Sequence, residues 1–272
     1  MAADNLTTGK ETGQDSISSM VQVKLRQNSV LSSIFRDVTA FATQGDKSIS
    51  FPRRANSFQV QKLTGSQKGD AQESVFELDK LELTEEAHIQ WVIKKFDQAR
   101  AKVALLSESI DEATYQHGVG LDYDIYEVMK VSVAAANEIN GPITQAKVVD
   151  MITQANTIRM PRTLRSFVFS NASYGSLLKI DQFVDASKSN FDSIRTGQIG
   201  TLYGLPVFES DSLDAGEAYL AHRDALFYGF GASPELEDQK AIEYGTGSRR
   251  WVMDQLYGVK SANENRLLVR LS

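Results

Sequence analysis

An α+β fold with a mixed sheet is predicted by three features of this 272-residue chain. An apolar stripe of helical period runs from Thr84 to about Ile110, where Ile89, Val92, Phe96, Ala99, Val103, Leu106 and Ile110 recur at alternating steps of three and four. Before it, from Lys47 to Leu83, the period is two: Ile49 and Phe51, Phe58 and Val60, Phe76 and Leu78, Leu81 and Leu83. After it, short apolar runs alternate with helical segments, which is the pattern of strand–helix units.

Composition sets the bounds. Hydrophobic content of 42% and charge of 24% are ordinary globular values. The absence of cysteine excludes disulfides, thiolate catalysis and cysteine-ligated metals. A net charge of −6 argues against a general nucleic-acid binder. No apolar run approaches the ~18 residues of a membrane span, and residues 1–19 lack the basic and apolar regions of a signal peptide. A soluble, cytosolic protein is expected.

In chain order, residues 1–19 are too polar to fold alone. Met20–Phe41 adds apolar residues in an irregular pattern, open to helix or extended chain, and such a segment packs on its own domain or on a neighbour. The period-two stretch reads as a long β-hairpin with an exposed turn at Thr64–Asp70 and a bulge where the phase slips between Leu78 and Leu81. So long and polar a ribbon is marginal alone. It belongs to a larger local sheet, or lies on another surface, which Arg53, Arg54, Lys62 and Lys68 suggest is acidic.

The hairpin leads into the helix beginning at Thr84, a suitable N-cap, with Glu85 and Glu86 in its first turn facing the positive end of the dipole. That helix would span roughly 40 Å. A glycine-containing break is expected at His117–Gly120, then a second helical stretch around Tyr123–Asn137. Asn140-Gly141-Pro142 reads as a turn opening a helix over 143–155, with Ile143, Ala146, Val149 and Ile152 on one face. Arg165–Ser170 (RSFVFS) is a strand and Asn171 an N-cap for the next helix. Pro206–Phe208 lies in a buried strand, 216–230 gives one more, and LLVRL is terminal.

Catalytic signals fail one by one. His88, His117 and His222 form no HExxH or HxH arrangement. A His222–Asp224 dyad is geometrically open, yet no G-x-S-x-G serine accompanies it. GQIGTLYG lacks dinucleotide-binding spacing, and GTGSRR (Gly245–Arg250) lacks the Walker lysine, so it reads as a turn whose arginines make salt bridges. No catalytic, cofactor-binding or metal-ligating residue is nominated, and an enzyme is not expected.

Three longer pieces carry a family likeness: SFVFSNASYGSLLKID (Ser166–Asp181), TGQIGTLYGLPVFESD (Thr196–Asp211) and DQLYGVK (Asp254–Lys260). With the polar arm, hairpin and long helix before them, the chain resembles the major capsid proteins of tailed bacteriophages, of the Hong Kong 97 fold. The resemblance implies an N-terminal arm (1–45), an extended hairpin loop lying over a neighbouring subunit (46–83), a peripheral domain with its spine helix (84–123), and an axial domain (124–231). A return to the peripheral domain (232–255) and a last strand of the axial sheet (256–272) complete it. It also implies hexamers and pentamers of an icosahedral head around double-stranded DNA, assembled in the host cytoplasm. A separate scaffolding protein, a portal and a decoration protein are the implied partners, with no cofactor, no membrane and no sequence-specific nucleic-acid binding. Candidate inter-subunit contacts are Arg53, Arg54, Lys62, Lys68, Glu85 and Glu86. Some relatives crosslink a loop lysine to a distant asparagine; none is expected here from Lys62 or Lys68 to Asn263 or Asn265. The alternatives are an encapsulin-like nanocompartment shell, and a small α+β ligand-binding protein or enzyme.

Overall fold

The computed structural model describes residues 29–43, 47–54, 58–62, 69–95, 97, 105–177, 179, 198–231, 235–262 and 267–272. The elements up to the long helix are α1 (Val30–Ile34), β1 (Arg36–Asp37), β2 (Ser48–Arg54), β3 (Phe76–Glu82), β4 (Glu85–Ile93) and α2 (Leu105–Ser132). There follow β5 (Glu138–Ile139), α3 (Gln145–Thr157), β6 (Arg165–Ser170), α4 (Tyr174–Leu177), β7 (Gln198–Leu202) and β8 (Leu205–Ser210). The chain closes with β9 (Ala218–His222), β10 (Leu226–Phe230), β11 (Glu235–Lys240), β12 (Arg249–Ser261) and β13 (Leu268–Leu271).

Among the described residues three sheets result. The largest has the order β5-β13-β9-β6-β8-β7 and is mixed, since β6 and β8 are parallel while β6 and β9 are antiparallel. All of β6 is buried, as a central strand covered on both faces must be. Phe167 and Phe169 pack with Val148, Met151 and Ala155 of α3, whereas Val168 joins Leu121, Ile125 and Tyr126 of α2 in a different core. In the second sheet β12 is the axis: β10 and β11 pair along it, and β4 pairs with it through nine residues from Tyr257↔Glu85 to Arg249↔Ile93. The third is the β2–β3 hairpin.

The α+β class and mixed sheet are as expected, but the helix begins elsewhere. The stretch from Glu85 to Ile93 is β4, not the first turns of a helix. It carries both periods, for Ala87, Ile89 and Trp91 alternate while Ile89 and Val92 open the helical stripe. Bulky and β-branched residues favour the pleat, and β12 supplies a full ladder in which Ile89 faces Met253 and Trp91 faces Trp251. The helix of the expected length is α2, 28 residues or about 42 Å. No break occurs at His117–Gly120, because α2 buries Thr114, His117, Gly118 and Leu121 in succession and tertiary packing outweighs the glycine penalty.

Smaller corrections have similar causes. The hairpin has no bulge: its register runs unbroken from Ser48↔Glu82 to Arg54↔Phe76. In α3 the buried residues are Val148, Met151 and Ala155, while Val149 is exposed, so the face is turned from the one expected. The 216–230 stretch makes two strands in different sheets, β9 and β10. Apart from these corrections, the positions 123/124 and 255/256, where domain boundaries are expected, lie inside α2 and β12, and 231/232 lies between two strands of one sheet. Among the described residues no helix is long and apolar enough to cross a membrane.

Candidate assembly surface

The β2–β3 hairpin has one face on the protein and one on solvent, because side chains alternate along a strand. Ile49, Phe51 and Leu81 point inward and are fully or almost fully buried, Phe51 against the Phe227 ring at 4.9 Å between centroids. Each such burial contributes roughly 1.5–3 kcal/mol, which a free ribbon lacks. Phe76 and Leu78 are in the opposite phase, 62% and 73% exposed. The phase slip in the sequence is therefore a switch of apolar residues from the inner face to the outer. Beyond the ladder, side-chain amides take over the pairing: Gln72 Nε2 donates to the Gln59 carbonyl at 2.6 Å, and the Asp70 N–H donates to Gln61 Oε1 at 2.8 Å. Phe58 and Val60 there are exposed too.

Three glycines seat the hairpin. A Cβ on Gly258 would lie 2.1 Å from the Glu82 carbonyl oxygen, and one on Gly229 or Gly231 would lie 2.6 Å from Ile49 Cδ1 or 2.4 Å from Leu83 Cδ1. Lys260 Nζ bonds Asp79 and also the Lys80 carbonyl at 2.7 Å. The Tyr-Gly-Val-Lys piece near the end of the chain is thus the hairpin's docking strip. A further Tyr-Gly pair, Tyr203-Gly204, forms the two-residue loop between β7 and β8 with φ of 53° and 77°, the left-handed pair that a tight hairpin turn requires.

The candidate contact residues are dispersed. Arg53 is held within its own chain, 3.7 Å from Asp79 and 2.9 Å from the Ala262 carbonyl. The Arg54 backbone pairs with Phe76, its side chain lying outside the described residues, as do Lys68, Asn263 and Asn265. Lys62 is exposed. Glu85 and Glu86 open a strand rather than a helix, opposite Tyr257 and Leu256; Glu86 borders a groove of about 470 Å³ with His88, Glu235 and Asp254.

Two polar networks join the long helix to its surroundings, and the sequence reading missed both. Glu217, itself buried, accepts 2.9 Å hydrogen bonds from the Tyr126 and Tyr219 hydroxyls and pairs with Arg270, which also reaches Glu138 at 3.3 Å. Asp122 of α2 holds the start of α1, accepting from the Val30 and Leu31 N–H groups at 2.8 and 3.0 Å and from the Ser29 hydroxyl. Burial pushes its carboxyl up to about 6, against the hydrogen bonds that pull it down. No local spacing marks the bonds that reach α2, since 91 residues separate Tyr126 from Glu217 and Asp122 from Leu31.

The rejected chemical motifs have structural roles. His88 lies on β4 beside Asp254, and His222 accepts the Asp224 N–H at 3.1 Å. His117 is buried, which lowers its pKa. Arg249 and Arg250 pair with Asp238 and Glu243, the salt-bridged turn expected. Among the described residues no group of His, Asp and Glu could hold a metal ion.

No protein-family model matches the sequence, and no curated protein is similar to it. Solved structures do match. Against the capsid of Ralstonia phage GP4 the TM-score is 0.66, with 11% identity over 90% of this chain and 87% of that one. The head structure of Helicobacter pylori bacteriophage KHP40 gives 0.63 at 13% identity over 90% of each chain. The capsid of a native GTA particle gives 0.60 at 10% identity over 90% of each. At these identities the likeness is one of fold, and the Hong Kong 97-type capsid fold is the fold of this chain.

Proposed function

We propose that this chain is a phage major capsid protein, a structural subunit that assembles into the hexamers and pentamers of an icosahedral head enclosing double-stranded DNA. The observation that carries this reading is the hairpin: anchored on its inner face, apolar and exposed on its outer face at Phe76 and Leu78, on a fold shared with phage heads. Contiguous exposed apolar residues mark a contact surface, and on this reading a neighbouring subunit covers it. The five-stranded sheet with α2 then corresponds to the peripheral domain, and the six-stranded sheet with α3 to the axial domain. Residues 1–45 act as the arm. Of the candidate contacts, Lys62, Lys68, Glu85 and Glu86 are offered to neighbours, and Arg53 anchors the loop instead. A scaffolding protein, a portal and a decoration protein are the proposed partners. The net charge of −6 suits a wall that must not hold its DNA tightly.

Light scattering and negative-stain microscopy of the purified chain, alone and with a candidate scaffolding protein, test the reading. Shells or hexamer-sized rings are expected. A species of about 30 kDa under both conditions overturns it. Deleting Thr64–Asp70 should leave the subunit folded and weaken contacts between capsomers; loss of the isolated fold would show that the segment serves its own chain.

A further inference from the structure

The turn between α3 and β6 is built unlike its surroundings. From residue 151 to residue 180 the chain has no Asp or Glu but does have Arg159, Arg162, Arg165 and Lys179. Arg165 is buried and among the described residues bonds neutral acceptors alone: Nε donates to the Pro161 carbonyl at 2.8 Å, Nη1 to Asn156 Oδ1 at 3.1 Å, and Nη2 to the Met160 carbonyl. This clasp fixes a turn in which Arg159 and Leu164 are both left-handed, with φ of 57° and 58°, a conformation that side-chain-bearing residues keep only where the surroundings impose it. The result is a rigid knob. Leu164 is 58% exposed, with exposed Arg159 and Arg162 in the same turn. Exposed Arg223 adjoins it, its N–H donating to the Leu164 carbonyl at 3.1 Å. Arg159, Arg162 and Arg223 make no ion pair among the described residues, and Asp224 nearby is paired with Arg36 at 3.6 Å.

The opposite end of the same sheet has the complementary character. Where β6 and the parallel β8 finish, a groove of about 640 Å³ has Val30, Val119 and Ile199 among its walls, Glu209 and Asp211 among its carboxylates, and among the described residues no lysine or arginine. Burial, and then the neighbouring Asp211, raise the Glu209 pKa. The six residues of β6 separate knob from groove by about 20 Å, so one copy cannot join them.

We propose that the Arg159–Leu164 turn of one copy seats in this groove on the next copy around a capsomer, with Leu164 on the apolar wall and Arg159 and Arg162 against Glu209 and Asp211. The inference rests on the shell reading and names a contact that reading leaves open. Two different patches meeting head to tail make a heterologous contact, the kind that closes rings. Arginine–carboxylate pairing in a recess is stronger than on open surface. An exposed leucine among the arginines fits a protein partner, since arginine and apolar anchors together characterise such interfaces.

The chain lacks cysteine, so a Thr163→Cys/Ser212→Cys double variant reports on the contact without background. In particles assembled from the full chain, with scaffolding protein where required, oxidation should give a ladder of covalent oligomers on non-reducing denaturing gels, absent from either single variant. Particles without a ladder overturn the contact and leave the shell reading standing; no particles from the wild type overturn both. As a second measurement, Arg159→Glu/Arg162→Glu should abolish assembly while the unassembled chain keeps its melting temperature. Undiminished assembly, or intact shells that only lose DNA, counts against the proposal, the latter assigning the arginines to nucleic acid.

Discussion

Gly258 and Glu82 touch backbone to backbone: a Cβ on Gly258 would stand 2.1 Å from the Glu82 carbonyl oxygen and 3.1 Å from its carbon. The end of the hairpin can lie flat on β12 only because that position has no side chain. The Gly258→Ala variant should therefore cost on the order of 3 kcal/mol or more, the upper range for overpacking against atoms that cannot turn away. Gly229→Ala meets the tip of the Ile49 side chain at 2.6 Å, which can rotate, and should cost less. Urea unfolding of the unassembled chain measures both, and equal losses would contradict the backbone argument.

The outer face of the hairpin separates assembly from folding. Phe76→Thr/Leu78→Thr removes apolar surface that is already in water and keeps strand-favouring residues. Subunit stability should change by less than about 1 kcal/mol for the pair, while the yield of particles falls sharply. A large drop in stability with assembly intact would place these residues in the chain's own core.

Glu217 is the centre of the buried network that fixes α2 on the six-stranded sheet. Glu217→Ala leaves the partly buried Arg270 without its main partner, though Glu138 remains, and should cost about 3 kcal/mol, the low end for breaking a buried pair. Tyr126→Phe removes one of the two hydroxyls that Glu217 Oε2 accepts and should cost about 1 kcal/mol. Calorimetry of the two variants checks the ratio; similar small losses would show that the pair contributes little.

Asp122 gives a pH signature of unusual sign. Its carboxyl rises from the ordinary 3.8 to about 6 through burial, so the native state holds a proton that the unfolded chain has released. The stability this group contributes is fully present below about pH 4 and is lost as pH rises through about 6, a swing of up to about 3 kcal/mol. Relative to Asp122→Asn, the wild type should gain stability as pH falls from 7 to 4.5. A difference in melting temperature that stays flat across that range would refute it.

The sequence by itself determined the α+β class, the hairpin, β6, the salt-bridged turn at Arg249 and Arg250, and the capsid likeness, because each is written in short-range period or motif. It could not place the long helix. From Glu85 to Ile93 the residues satisfy two periods at once, and only β12, more than 150 residues away, decides between them by offering a nine-residue ladder. The candidate surface divides along the same line. The positions of Phe76 and Leu78 were legible, yet their exposure was not, since alternation identifies two faces without saying which one the protein covers. Arg53, expected as a contact for a neighbour, also has Asp79 and the Ala262 carbonyl beside it, which no local spacing announces. The seats at Gly229, Gly231 and Gly258, the Glu217 network and the Asp122 clasp bring together residues far apart in the chain. Local order in a sequence encodes period and turn; the meeting of distant surfaces is settled by tertiary packing alone.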